Sequence, residues 1–578
     1  MNMNLPELDL SPESVPLRRS VWLIFFSAVL VLLLILGRNP LLGSEGVTAE
    51  SIRLMLAGKD IFALDQWNPD SFLPLWFSRL QMFPALIFGN NEFAWRFFSF
   101  IPALFLLGGM MLLADDISGR RVMCCAGWLM IGSYGFIYWG RNASSFIILA
   151  AWCVWSAVVL TRRRNSLLNK TVFFFLFFSG CFWWGMHYIL TVPGIMVITY
   201  LSWKNNFFTV KSIIPLIAGA VVAVLISFLF LWYPQVAWGE YPARFWQLFQ
   251  CSFMESVRNT VYPEGAYFNN GKFLLNLPRL LFPWTLLAIC VIWVMCRNFR
   301  ELPDESRYLL YGTALILLLS CIFPARRLQY QLAQLPFFLI ICSIGIAGKN
   351  GNSVVLDYVI LAMKWGAAFM GSFAVAVFAV WPLWDMIFHS SMPMWIMLGI
   401  PALGLLSLGA LIFDTGATSM VERVSGMQGR WSGCILSWVC LSAAFFSIGI
   451  PALGGYRTGK TFWKKCGETV RLKNPDELIF YRSMPGNIEY CYMNIDRQGE
   501  IAFDEDQLRD KLKKTSASGC LIVFRNNDYS SARKVWESAG WQMAGETPDV
   551  QEKGKLYLFR EASPSEIRSG CFIRKKER

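Results

Sequence analysis

VWLIFFSAVLVLLLIL, Val21 to Leu36, carries no charged residue from end to end. It follows an acidic stretch and the pair Arg18-Arg19, and it lacks a small-residue cleavage signature. The run therefore reads as a retained first membrane span rather than a signal peptide. Similar runs recur to about Leu453. Across 578 residues the chain is 55% hydrophobic, 16% aromatic and 16% charged, where a soluble chain is about a quarter charged. These figures point to an α-helical polytopic membrane protein and exclude a multidomain soluble enzyme, a disordered chain or a nucleic-acid module. Two histidines, His187 and His389, exclude a His-rich metal centre, and nothing in the sequence calls for a metal or a cofactor.

Hydropathy places thirteen spans, near 20–37, 93–114, 122–139, 143–160, 171–186, 188–203, 212–232, 274–296, 308–323, 328–347, 355–381, 393–413 and 431–453. The nearly continuous runs 122–160 and 171–203 are split at Gly140-Arg141 and His187-Tyr188, since neither fits as one helix in a hydrocarbon core of about 30 Å. Basic residues gather at Arg18-Arg19, Arg120-Arg121, Arg162 to Arg164 with Lys170, Lys204 with Lys211, Arg297 with Arg300, and Arg423 with Arg430. By the positive-inside rule those loops, and the N-terminus, are cytoplasmic. Loops 38–92, 233–273 and 324–327 then share the opposite side with the tail. Residues 1–453 form the transmembrane domain, and 454–578 form a small extracytoplasmic α/β domain. That domain has strand-like runs at Glu477 to Tyr481, Ile488 to Met493, Cys520 to Phe524 and Leu556 to Phe559, with helical stretches near Glu505 to Lys514 and Ser530 to Ser538. Ten of the fifteen cysteines sit in or beside apolar runs, as small packing residues do.

The side opposite the basic loops should be poor in Lys and Arg, yet Arg326-Arg327 lies in FPARRLQY and Arg141 in YWGRNAS. A guanidinium fork matches phosphate oxygens, so these cations, with Tyr330 one turn on, are candidate ligands for an anionic lipid headgroup. Snorkelling to ordinary headgroups or pairing with outer carboxylates is the other reading. The long outer loop supplies Glu255, Arg258, Glu264 and Lys272 among aromatic residues; it is either a functional loop or an interfacial aromatic belt. In the first outer loop, TAESIRLMLAG from Thr48 to Gly58 has the spacing of a surface helix. Its neighbour Glu45 is a candidate general base, because a carboxylate beside an apolar wall holds a proton more readily. The alternative is a solvated loop carboxylate. The spans are nearly free of ionisable residues apart from Arg96, Lys364 and Asp385 near their ends, which weighs against a coupled transporter.

The order of these features resembles the polytopic lipid-dependent glycosyltransferases of the C-type fold, specifically the bacterial lipid A aminoarabinose transferase and protein O-mannosyltransferase family. SEGVTAESIRLML, Ser44 to Leu56, is similar to that family's acidic pair and surface helix through Glu45, Gly46, Glu50 and Met55. Pro283-Trp284 looks like its Pro-Trp element, and Ala325 to Pro336 looks like a segment in which Arg326 replaces a lysine and Tyr330 is kept. Two departures stand out. Ser44 occupies the place of the family's leading acid, and the acid expected near Ser144 to Phe146 is absent; the downstream Glu-Lys-Pro element is reduced to Phe72-Leu73-Pro74.

The resemblance implies transfer of a sugar from a polyprenyl-phosphate donor to a lipid, glycan or protein acceptor on the outer face of an inner (plasma) membrane. Glu45 is then the catalytic candidate, and Arg141, Glu255, Arg258, Lys272, Arg326, Arg327 and Tyr330 are the substrate-binding candidates. Because Ser44 is no base at neutral pH, three possibilities stay open: Glu45 takes over, the acceptor is already an anion, or catalysis is lost. In the last case the chain is a degenerate paralogue that binds lipid-linked sugar or partners an active transferase.

Overall fold

The computed structural model describes residues 14–34, 36, 45–56, 75–143, 145–162, 167–184, 186–200, 212–231, 270–322, 328–347, 354–388, 394–416, 431–449, 464, 468, 477–481, 500–514, 519–525, 534–535, 541–546 and 567–574. Helices α1 (Ser14–Leu33), α2 (Glu45–Leu56), α3 (Leu75–Phe88) and α4 (Glu92–Ser118) are followed by α5 (Arg120–Gly132), α6 (Tyr134–Gly140) and α7 (Phe146–Thr161). Next come α8 (Leu167–Trp184), α9 (Met186–Ile189), α10 (Val192–Ile198), α11 (Ile213–Leu231), α12 (Asn270–Leu281), α13 (Thr285–Arg297) and α14 (Asp304–Ile322). A 3-10 turn, Leu328–Gln334, leads into α15 (Leu335–Ala347), then α16 (Val354–Phe388), α17 (Met394–Gly416) and α18 (Ser432–Ser442), which continues as a π-helix, Ala443–Gly449.

Two apolar faces on one helix identify the solvent around it. On α16, Leu356, Met363, Ala367 and Ala374 are buried, while Trp365 and Phe369 on the other face are 71% and 72% exposed, in line with Tyr358 and Leu361. Trp22, Phe26 and Leu30 form the same outward stripe on α1. Such stripes are untenable in water over so many helices and are normal in lipid. Four helices among the described residues are long and apolar enough to cross a bilayer: Glu92–Ser118, Leu167–Trp184, Val355–Ala376 and Ser432–Gly449. The bent pair α5 and α6 adds another, and six shorter apolar helices accompany them. The chain is a multi-pass helical membrane protein.

Its boundaries differ from the hydropathy reading where the backbone finds partners outside its own helix. The expected span 122–139 turns by 63° between α5 and α6. Ser133 is extended there, and several of the carbonyl and amide groups freed by the break find partners outside their own helix. The Trp284 indole donates to the Leu129 carbonyl at 2.7 Å, the Ser442 hydroxyl to the Gly132 carbonyl at 2.7 Å, and the Tyr134 amide to the Phe282 carbonyl at 2.8 Å. In hydrocarbon each lost pair costs several kcal/mol, so the break exists because these partners exist. A Cβ on Gly132 would meet the Trp284 ring at 2.7 Å, which explains the glycine.

The expected span 274–296 is likewise two helices. Pro283 has no amide proton to continue α12, and α13 begins only at Thr285. The expected split at Gly140-Arg141 coincides with the end of α6, whereas the split placed at His187-Tyr188 falls inside α9, α8 having ended at Trp184.

Helix α10 crosses α14 at a pair of glycines. A Cβ on Gly194 would come within 2.7 Å of the Gly312 carbonyl oxygen, and one on Gly312 within 2.5 Å of the Gly194 carbonyl oxygen. Gly312→Val is therefore expected to force the helices apart at a cost of about 1–3 kcal/mol, read as a lower unfolding midpoint in detergent. An unchanged midpoint would mean the crossing is not tight.

In the tail, β1 (Glu477–Tyr481), β2 (Glu500–Ala502), helix α19 (Glu505–Lys514), β3 (Gly519–Arg525), β4 (Trp541–Glu546) and β5 (Ile567–Arg574) are described. They form a sheet of order β2-β1-β3-β5-β4, parallel among the first three strands and antiparallel for the last two pairings. Strands β1 and β3 and helix α19 fall where the sequence places them, and Leu508 of α19 is buried. The runs at 488–493 and 556–559 lie outside the described residues.

Candidate functional site

Asn91 starts α4: its side-chain oxygen accepts the Ala94 amide at 3.0 Å, satisfying one of the helix's orphan donors. Arg96 emerges just over one turn later and meets Glu45, the first residue of α2. The guanidinium grips the carboxylate with both arms, Nε to Oε1 and Nη2 to Oε2, each at 2.7 Å. Both side chains are 1% exposed. Nη1 of Arg96 donates to the Leu36 carbonyl at 3.2 Å, and the Ala143 amide donates to Oε1 of Glu45 at 2.9 Å. Thr48 returns a bond to the Ala143 carbonyl at 3.3 Å. The start of α2 is thus tied to α4, to the end of α1 and to the turn between α6 and α7.

That turn carries Arg141, which is 2% exposed. Its Nη1 donates to the Val31 carbonyl at 3.0 Å, which also accepts the Ser447 hydroxyl at 3.0 Å. Among the described residues its buried Nε and Nη2 have no hydrogen-bond partner. Burial first, and the neighbouring Arg96 charge second, lower its pKa from the usual arginine value. Since a guanidinium keeps its proton regardless, the consequence is a buried cation with two unused donors. Arg96 and Glu45 cancel, and Arg141 is left over. This arrangement suits an anion that presents two oxygens to a fork.

Beside it Tyr138 bonds to Asn142 and stacks on Tyr134, with ring centroids 5.2 Å apart. Phe446 of the π-helix packs against Tyr134 at 4.9 Å. Arg279, at the exposed end of α12, donates to the Tyr134 hydroxyl at 3.0 Å and lies over its ring at 5.3 Å. A second, exposed cation thus stands against the aromatic pair. Tyr134→Phe is expected to keep the ring stack and lose only this bond, about 1 kcal/mol of stability. Thermal unfolding against wild type checks it, and a loss several times larger would show that the hydroxyl serves more than Arg279.

The structure brings together two of the residues picked from the sequence, Glu45 and Arg141. Glu255, Arg258, Arg326 and Arg327 lie outside the described residues; Lys272 and Tyr330 are described only as backbone, in α12 and in the 3-10 turn. Arg96, Tyr134, Tyr138, Asn142 and Arg279 were not picked. A signal for Arg96 was present: an ionisable residue inside the apolar run FAWRFF calls for a named partner. Arg279, one turn ahead of Pro283-Trp284, gave no comparable sign.

No family model matches the chain, and no curated protein matches it. Among solved structures it is similar to ArnT from Cupriavidus metallidurans bound to undecaprenyl phosphate, with a TM-score of 0.63 and 12% identity over 95% of this chain and 97% of that one. The apo state of the same protein gives 0.61 and 14% over the same shares. At this identity the likeness establishes a common fold.

Proposed function

We propose that the chain is a membrane glycosyltransferase that moves a sugar from a polyprenyl-phosphate donor to a lipid, glycan or protein acceptor. The observation that carries this reading is Arg141, a buried guanidinium with two unpartnered donors, in a fold shared with a protein whose structure holds undecaprenyl phosphate. A departing phosphate needs fixed positive charge in a water-poor site, where such charge acts far more strongly than in water. Arg141 supplies it, and Arg258, Lys272, Arg326, Arg327 and Tyr330, with Glu255, are the further substrate-binding residues this reading takes from the sequence. Arg279 guides the donor headgroup in from the rim.

Glu45 receives the acceptor proton only by sharing oxygens already engaged by Arg96 and the Ala143 amide. An acceptor that arrives ionised escapes that difficulty. The site lies at the ends of α4 and α7 away from the Arg162 ion pair with Asp116, at 2.8 Å. With the basic loops cytoplasmic, the site, the loops 38–92 and 233–273 and the tail domain 454–578 face outward from an inner membrane crossed by thirteen spans. A lipid-linked donor suits that side better than a cytoplasmic nucleotide sugar.

A second reading rests on the same engagement of Glu45 together with Ser44: a paralogue that binds lipid-linked sugar without turning it over. Reconstituted protein given radiolabelled polyprenyl-phosphate sugars separates the two. The transferase reading expects label in extracted lipid or protein acceptors, reduced in Glu45→Gln and in Arg326→Ala. No transfer by wild type, with donor binding that still depends on Arg326, would establish the binding protein instead.

A further inference from the structure

Two side chains of α2 close on one residue of the turn that carries Arg141. Glu45 and Thr48 stand three positions apart, on the same face of the helix. Oε1 of Glu45 accepts the Ala143 amide at 2.9 Å, and the Thr48 hydroxyl donates to the Ala143 carbonyl at 3.3 Å. Both polar backbone groups of Ala143 are thus held by a single turn of α2. Thr48 and Ala143 are fully buried, so water is not at hand to replace either bond. Ala49 and Ile52, also fully buried, seat α2 in the protein, and Arg96 fixes Glu45 with its two-armed grip.

Arg141 lies two residues before Ala143. On its other side its amide reaches back to the Tyr138 carbonyl in α6, so the residue that carries the fork is strung between α6 and the α2 clamp. Its guanidinium ends a long side chain tethered at Nη1 to the Val31 carbonyl, while Nε and Nη2 have no partner among the described residues. Where the fork points therefore depends on where the backbone starts it. Two oxygens of one anion must meet two donors in a fixed geometry, and a misplacement of about 1 Å can cost about a hundredfold in rate. Glu45 is a poor probe of this clamp, because changing it also strands Arg96. Thr48 is neutral and acts on Ala143 alone among the described hydrogen bonds.

We infer that Thr48 is a positioning residue: its hydroxyl, acting with Glu45 on Ala143, fixes the Arg141 turn so that the guanidinium presents its two unused donors to a lipid phosphate. The inference rests on the transferase reading for the phosphate and adds to it a residue that touches no substrate. Preorganised donors act strongly because they need no rearrangement when the anion arrives, and the clamp is what holds this donor in place beforehand.

The test measures binding of undecaprenyl phosphate to the full chain in nanodiscs, with undecaprenol, which lacks the phosphate, as the matched control. Thr48→Val, isosteric but without the donor, is expected to weaken undecaprenyl phosphate binding by about fivefold, the scale of one neutral hydrogen bond, and to leave undecaprenol binding unchanged. Thr48→Ser is expected to restore it. In an Arg141→Met background Thr48→Val should cost nothing further, because the group it positions is gone. Thr48→Cys, a weak donor, should fall between serine and valine, and it carries the test where the valine variant misfolds. A loss that persists without Arg141, or that appears equally with undecaprenol, would make Thr48 a structural residue only. Unchanged binding in the valine and cysteine variants would show that the clamp does not steer the fork. Binding does not require turnover: wild-type transfer with undiminished binding by Thr48→Val sinks this inference alone, wild-type binding without transfer sinks the enzyme reading alone, and wild type with no phosphate-dependent binding overturns both.

Discussion

Arg96→Met is expected to destabilise the fold by about 3–5 kcal/mol, the usual cost of removing one partner from a buried ion pair. The size follows from what is left behind. Glu45, 1% exposed, would keep the Ala143 amide but lose both arms of the guanidinium, and the Leu36 carbonyl would lose its Nη1 donor. Glu45→Gln removes the charge from the other side while its carbonyl still accepts from Ala143. The double variant Arg96→Met with Glu45→Gln should therefore recover a large part of the loss, because no unpaired charge stays buried. Unfolding midpoints of the four proteins in one detergent measure the coupling. Additive losses would show that the pair is solvated in the membrane-embedded protein, against the geometry.

Arg141→Met should do the opposite. Here a buried cation with two unused donors is replaced by an apolar side chain of similar length, and among the described residues the only bond lost is to the Val31 carbonyl, which keeps Ser447. Stability is expected to hold or rise, while transfer falls by about 100- to 1,000-fold, the scale of losing one preorganised donor to a developing anion. Arg141→Lys keeps the charge without the fork and should fall between. This pairing of unchanged or higher stability with lost function is what a site that stores an unmet interaction for its substrate predicts. A variant that is less stable and fully active would make Arg141 a structural residue.

The long apolar helices were legible because length and hydropathy together suffice in a bilayer. The breaks were not. Nothing near Ser133 in sequence announces that Trp284 and Ser442 will take its neighbours' carbonyls, and the reader of 274–296 sees one run where Pro283 divides two helices. Glu45 stood out through SEGVTAESIRLML, and Arg141 stood out as a cation on the side that should lack them. Their surroundings did not: Arg96 pairs with Glu45 across 51 positions, and Arg279 reaches Tyr134 across 145. In the tail the apolar runs ELIFY and GCLIVFR gave β1 and β3, while WQMAGE and IRSGCFIR, more polar and interrupted by glycine, gave no strand signal for β4 and β5.

The central claim is that Arg141 holds the phosphate of a lipid-linked sugar during transfer. The most direct measurement is the rate of label transfer from polyprenyl-phosphate sugars in proteoliposomes, for wild type and Arg141→Met side by side, with unfolding midpoints taken on the same preparations. The account predicts transfer by wild type and near-background transfer by a variant at least as stable. Wild-type rates from Arg141→Met would contradict it.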